Sequence, residues 1–190
     1  MTFLLRLALA IDSFNEKVAR LAAWLVVVAV VVSAGNAISR KLFSLSSNAW
    51  LELQWYLFGA VFMLGAAWTL KRDEHVRVDF LVTRLSRRGR HRLDLLGHLA
   101  FLIPFAALHA ATSVPFFLSS WRTGEVSANA GGLTIWPAKL LVLLGFCLLL
   151  AQGLSEAIKK VGCLRGDLDE DDPSAGSDDA AERERPEPDA

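Results

Sequence analysis

The sequence predicts an all-α integral membrane protein with four transmembrane helices, an N-terminal amphipathic interfacial helix and a disordered acidic C-terminal tail. Three observations carry that prediction. Hydrophobic residues make up 53% of the 190, which is too apolar for an ordinary soluble domain. Four apolar stretches are long enough to cross a ~30 Å hydrocarbon core, which needs roughly 20 helical residues. The formal net charge of zero hides a segregation of sign: residues 1–165 carry 18 Lys and Arg against 9 Asp and Glu, and residues 166–190 carry 2 against 11. Strands are excluded from the apolar stretches, because an open sheet in lipid leaves backbone groups unpaired.

The elements follow in order. In residues 1–20, Phe3, Leu7, Ile11, Phe14 and Val18 recur at three- and four-residue steps, while Arg6, Asp12, Glu16 and Lys17 occupy other faces. That pattern predicts an amphipathic helix lying in the interface ahead of the first span. A cleaved leader ending near Ser33-Ala34-Gly35 is the competing reading, but Asp12 and Glu16 make a poor basic leader segment. The membrane domain then occupies residues 21–160, with spans at about 21–38, 50–70, 95–118 and 138–158. The third span contains Pro104 and Pro115, and the fourth is rich in Leu. Residues 161–190 form the acidic tail, which has too little apolar surface to offset the entropy of ordering.

Orientation comes from the basic residues that flank the spans. Placing both termini and the loop 71–94 in the cytoplasm puts 16 Lys and Arg inside and 4 outside. The predicted orientation therefore has both termini cytoplasmic. Because the basic excess flanks apolar segments, no nucleic-acid partner follows from it; the partner the composition demands is membrane lipid.

Several kinds of chemistry are disfavoured. Cys147 and Cys163 form no C-x-x-C pair. Haem needs axial His ligands on facing helices, but His98 and His109 share the third span while His75 and His91 lie in the basic loop. No H-E-x-x-H motif or intramembrane carboxylate cluster is present. Neither a cofactor, a metal nor a catalytic residue is predicted. A self-sufficient transporter would need polar groups and broken helices near the midplane, and these spans hold almost no ionisable residue at that depth.

The polar signatures crowd the two membrane faces. On the second span Glu52, Trp55, Tyr56 and Gly59 share one helix face beside Gln54, so this face should look at protein or water. Whether Glu52 is paired or solvated at headgroup depth stays open at this stage. At the other end of that helix, Lys71 through Asp79 interleaves both signs and includes His75 and Arg77. The loop before the fourth span runs from Trp121 through Glu125, Gly131, Gly132, Trp136 and Pro137 to Lys139. Gly131-Gly132 marks a turn, and Pro137 suits the first turn of the next helix. Small residues at Gly59/Ala60, Gly65-Ala66-Ala67, Ala106-Ala107 and Ala110-Ala111 could let helices approach closely.

Over residues 15–160 these segments resemble the DctQ-like small membrane subunit of TRAP (tripartite ATP-independent periplasmic) transporters. The resemblance rests on Glu52-Leu-Gln-Trp-Tyr-Leu-Phe58, then Arg72 to Asp79, then Trp121 to Glu125, Gly131-Gly-Leu, Trp136-Pro-Ala-Lys139 and Gly145-Phe146, in this order on four spans. Leu140 to Leu144 departs from the family in lacking a proline before the Gly-Phe pair. The resemblance implies an all-helical subunit, not an enzyme, that packs against a large permease subunit as part of its fixed scaffold. It also implies a periplasmic binding protein that delivers an organic anion, such as a dicarboxylate, for sodium-driven uptake. Glu52, Trp55, Arg77 and Asp79 would then be structural or interface residues, not transport ligands. A membrane-anchor subunit of a multi-subunit enzyme is the alternative reading.

Overall fold

The computed structural model describes residues 2–44, 47–72 and 87–165. His75, Arg77, Asp79 and nearly all of the acidic tail lie outside the described residues. The elements are α1 (Thr2–Phe43), α2 (Asn48–Lys71), α3 (Arg87–Gly97), a π-helical turn (His98–Leu102), α4 (Ile103–Thr123) and α5 (Trp136–Arg165). Four helical stretches are long and apolar enough to cross a membrane: Phe3–Phe43, Asn48–Lys71, Gly89–Thr123 and Trp136–Arg165. The protein is a multi-pass membrane protein, as the apolar runs predict.

Two features differ from the simplest reading of the sequence. The N-terminal amphipathic segment is continuous with the first span, so α1 is one helix of 42 residues, about 63 Å long at ~1.5 Å per residue. Nothing between residues 18 and 24 breaks it, since Ala22, Ala23 and Leu21 are strong helix formers. The third span also runs unbroken past both of its prolines. Pro104 has no N–H to give and its ring crowds the carbonyl four residues back. That carbonyl belongs to Ala100, which lies inside the π turn. Within the turn His98 is buried, with its Nδ1 2.6 Å from the Asp94 carbonyl oxygen.

α5 is the hub of the fold. It packs against α1, α2, α3 and α4, while α1 also lies along α2. Small residues sit where the helices meet: Ala60 and Ala67 on α2, Ala106 and Ala110 on α4, and Ala22 and Ala29 on α1 are all buried. Gly59 and Gly65, also expected at contacts, have open space beside them. α2 and α5 approach closely at Gly145 of α5, where an added Cβ would meet the Met63 side chain at 2.7 Å and its backbone oxygen at 2.9 Å. Dispersion contacts of this kind, not a hydrophobic driving force, hold helices together in lipid. Most large apolar side chains point outward, Phe62 and Val31 among them.

Candidate functional site

Polar contacts gather at two places: the end carrying the loop between α4 and α5 (the loop end), and the end where the first turns of α1 meet the last turns of α5 (the terminal end).

At the loop end, residues 124–135 form a short hairpin. Gly124 closes α4 in the left-handed conformation. The Ser127 N–H donates to the Leu133 carbonyl at 2.9 Å, and the Ile135 N–H donates to the Glu125 carbonyl at 2.9 Å. Val126 and Thr134 pair as an antiparallel bridge. The turn closes with the Gly132 N–H on the Asn129 carbonyl, 2.9 Å, with Gly131 at φ +68°. A side chain is strained at that dihedral.

The first turns of α2 grip this hairpin with Asn48, Glu52 and Tyr56, spaced four residues apart on one face. Asn48 Nδ2 donates to the Ala130 carbonyl at 2.9 Å, and the Tyr56 hydroxyl donates to the Thr134 carbonyl at 3.1 Å. Between them the Glu52 carboxylate accepts from the Ser127 hydroxyl, from Asn129 Nδ2 at 2.8 Å and from the Leu133 backbone N–H at 2.6 Å. The question left open by the sequence is thereby answered: Glu52 is paired, by donors of a single loop. Gly132 makes that fit possible, because a Cβ there would lie 2.6 Å from Ser127 Cβ and 2.9 Å from Glu52 Oε1.

Lys139 ties the hairpin to α5. Its ammonium holds the Glu125 carboxylate at 2.5 Å and sits 4.1 Å from the Phe116 ring centroid. That ammonium keeps the Glu125 carboxyl below its ordinary pKa range. Trp121 and Trp136 meet edge to face with centroids 4.6 Å apart, and Pro137 occupies the first turn of α5. The structure separates Trp55 from Glu52, although the two share a helix face by spacing: Trp55 is 78% exposed, and it lines a shallow groove on the outside of α2 with Gln54, Phe58, Gly59 and Phe62.

At the terminal end α1 and α5 share a buried network that sequence reasoning missed. Asn15 and Gln152 are 1% and 0% exposed. Asn15 Nδ2 donates to Gln152 Oε1 at 2.7 Å, and Gln152 Nε2 donates to Asp12 at 2.8 Å and to Glu156 at 2.9 Å. The Lys159 ammonium bridges Asp12 at 2.8 Å and Glu156 at 2.6 Å, and Ser155 donates to Asp12 at 2.8 Å. Lys71 of α2 reaches Glu16 of α1 at 3.1 Å, and Lys160 pairs with Asp94 of α3 at 3.1 Å. The polar side of the amphipathic segment therefore turns inward to α5, and Phe3, Leu7 and Phe14 turn out. The signal was in the sequence as two stripes: Asp12, Asn15 and Glu16 at i, i+3 and i+4, and Gln152, Ser155, Glu156 and Lys159 at i, i+3, i+4 and i+7.

Among the described residues no three His, Cys, Asp or Glu side chains come close enough to hold a metal ion together. Every carboxylate in the two clusters is engaged with a fixed donor of the chain itself. What both arrangements can do is fasten helices to one another.

The model of one family, described as tripartite ATP-independent periplasmic transporters, DctQ component, matches residues 29–162. No curated protein matches the chain. The matched stretch contains α2, the hairpin and the whole of α5 up to Gly162, but not the α1 half of the terminal network.

Proposed function

The chain belongs to the family of DctQ components of tripartite ATP-independent periplasmic transporters, and on that premise we propose that it is a fixed scaffold element of such a transporter. It is the small membrane component of the system. In the proposed arrangement it packs in the bacterial inner membrane against the large permease subunit. That partner carries the moving parts for sodium-driven uptake of an organic anion, delivered by a periplasmic binding protein. The basic-residue balance supports cytoplasmic termini, which puts the hairpin on the periplasmic side.

One observation carries the scaffold reading. No Asp, Glu, Lys or Arg occurs in residues 21–39, 53–70, 95–121 or 140–155, so the charged chemistry of the chain is confined to its two ends. Carriers bind ions and anions at mid-depth with polar side chains and interrupted helices. A chain that stays put needs fastenings at its ends and close small-residue contacts between, and this chain has both. Glu52, Tyr56, Glu125, Gly132 and Lys139 serve as structural residues of the hairpin in this reading. Trp55 and Gln54, turned outward, are candidates for subunit contact.

The test is uptake in proteoliposomes holding the large subunit with and without this chain, supplied with the binding protein, anion and a sodium gradient. Uptake should collapse without the chain. Unchanged uptake would sink the proposal.

A further inference from the structure

On the third span, His109 is a polar side chain whose surroundings the described residues do not complete. His109 of α4 lies twelve residues from Trp121, about 18 Å along the helix at ~1.5 Å per residue, deep within a ~30 Å core. Its ring rests on Phe105, with centroids 4.2 Å apart, and on Phe146 of α5, at 4.8 Å. Nδ1 lies 2.9 Å from the Phe105 carbonyl oxygen. A carbonyl only accepts, so Nδ1 carries the hydrogen, and Nε2 of the neutral ring is left as a bare acceptor. No described residue supplies a donor to it. The surrounding face is open: Phe101 is 75% exposed, Leu108 62% and Phe116 50%.

We propose that this face of α4, centred on His109, docks a transmembrane helix of the large permease subunit that carries a hydroxyl, amide or indole N–H donor at the same depth. The inference rests on the scaffold reading above and names the surface that reading leaves unspecified. Lipid does not fill the role, because acyl chains offer no hydrogen-bond donor and a polar atom left unpaired in hydrocarbon is costly. A second copy meeting this one through the same face does not fill it either. Thr112, the hydroxyl of that face, already donates to the Leu108 carbonyl at 2.9 Å or the His109 carbonyl at 3.2 Å. A two-fold contact would therefore set acceptor against acceptor. The donor must come from a different chain, and the exposed Phe and Leu side chains flanking His109 supply the packing surface around it.

The experiment uses the full transporter in native membranes. A photo-crosslinking amino acid is placed at Phe105 or Phe116, with Trp24 on α1 as control. Adducts with the large subunit from Phe105 and Phe116, and none from Trp24, support the proposal. Adducts with a second copy, or no protein adduct while the two subunits still co-purify, overturn it and leave the scaffold reading standing. If the wild-type chain fails to co-purify with the large subunit, the scaffold reading falls and the docking surface with it. In the solubilised complex, His109→Leu should speed subunit dissociation by about three- to twentyfold, the range measured for hydrogen bonds between membrane helices. His109→Gln, whose amide oxygen accepts, should stay near wild type. Equal dissociation rates for wild type and the Leu variant would remove the hydrogen bond from the proposal.

Discussion

The two ends of the molecule solve the same problem, fastening helices where lipid gives little help, with different chemistry. At the loop end one carboxylate, Glu52, is wrapped by the hairpin of residues 124–135, and its partners are neutral donors. At the terminal end two carboxylates share one buried ammonium, and the partners lie about 140 residues apart in sequence. The loop end shapes a local surface. The terminal end closes the chain on itself by binding its first helix to its last. A fault at the terminal end should therefore act globally, and one at the loop end locally.

The largest effect should come from Lys159→Met. It leaves Asp12 and Glu156 buried without their cation, and breaking such a pair costs about 3–5 kcal/mol. Thermal unfolding in detergent reads this as a lower midpoint for the whole chain. Replacing Asp12, Glu156 and Lys159 together by Leu, Leu and Met should recover part of the loss, since it removes the uncompensated charge but leaves the buried Gln152 amide without its two acceptors. A lower midpoint confined to the hairpin would break the contrast between the ends.

Next in size is Gly132→Ala. Its new methyl group meets Ser127 and Glu52, and overpacking of this kind costs about 1–3 kcal/mol. Hydrogen exchange should quicken through residues 125–135 while α1 and the terminal end of α5 keep their protection. Glu52→Gln should act more narrowly. The Leu133 amide, which donates to the carboxylate, should exchange on the order of tenfold faster with little change in the unfolding midpoint.

The smallest effect is a pH dependence. Because Lys139 depresses the Glu125 pKa, the contact is complete above the ordinary value of 4.5 and is lost only as pH falls through the lower folded value. Infrared difference spectra between wild type and Glu125→Gln should show a carboxylate band that persists below pH 4.5. In Lys139→Met the band should vanish at higher pH.

Much of this was legible in the sequence, and what was not has a physical cause. The four spans were readable because length and apolarity are local properties. The hairpin was half readable: Gly131-Gly132 announces a turn and Glu52 announces an anomaly. Nothing local says that Leu133 N–H, Ser127 and Asn129 converge on that carboxylate from about 80 positions away. The terminal network was legible only as two separate stripes, and their meeting was not, for a sharper reason. Asp12 and Glu16 beside Arg20 read as an ordinary solvated face, and so do Glu156 and Lys159. Only their meeting buries them. Trp55 shows the same limit in reverse, since sharing a helix face with Glu52 in a wheel plot did not keep it on the hairpin.

The π turn at His98–Leu102 has one more consequence, which is angular. A π turn holds one residue more than the α-helical geometry it interrupts, and that residue shifts everything beyond it by about 100° around the axis. The third span is thus two helices in different phase on a common axle. One phase aims Phe105 at Phe146 and Leu102 toward Gly153; the other aims Asp94 at Lys160. Deleting a single residue from the turn would leave a straighter helix whose two halves could no longer both face α5.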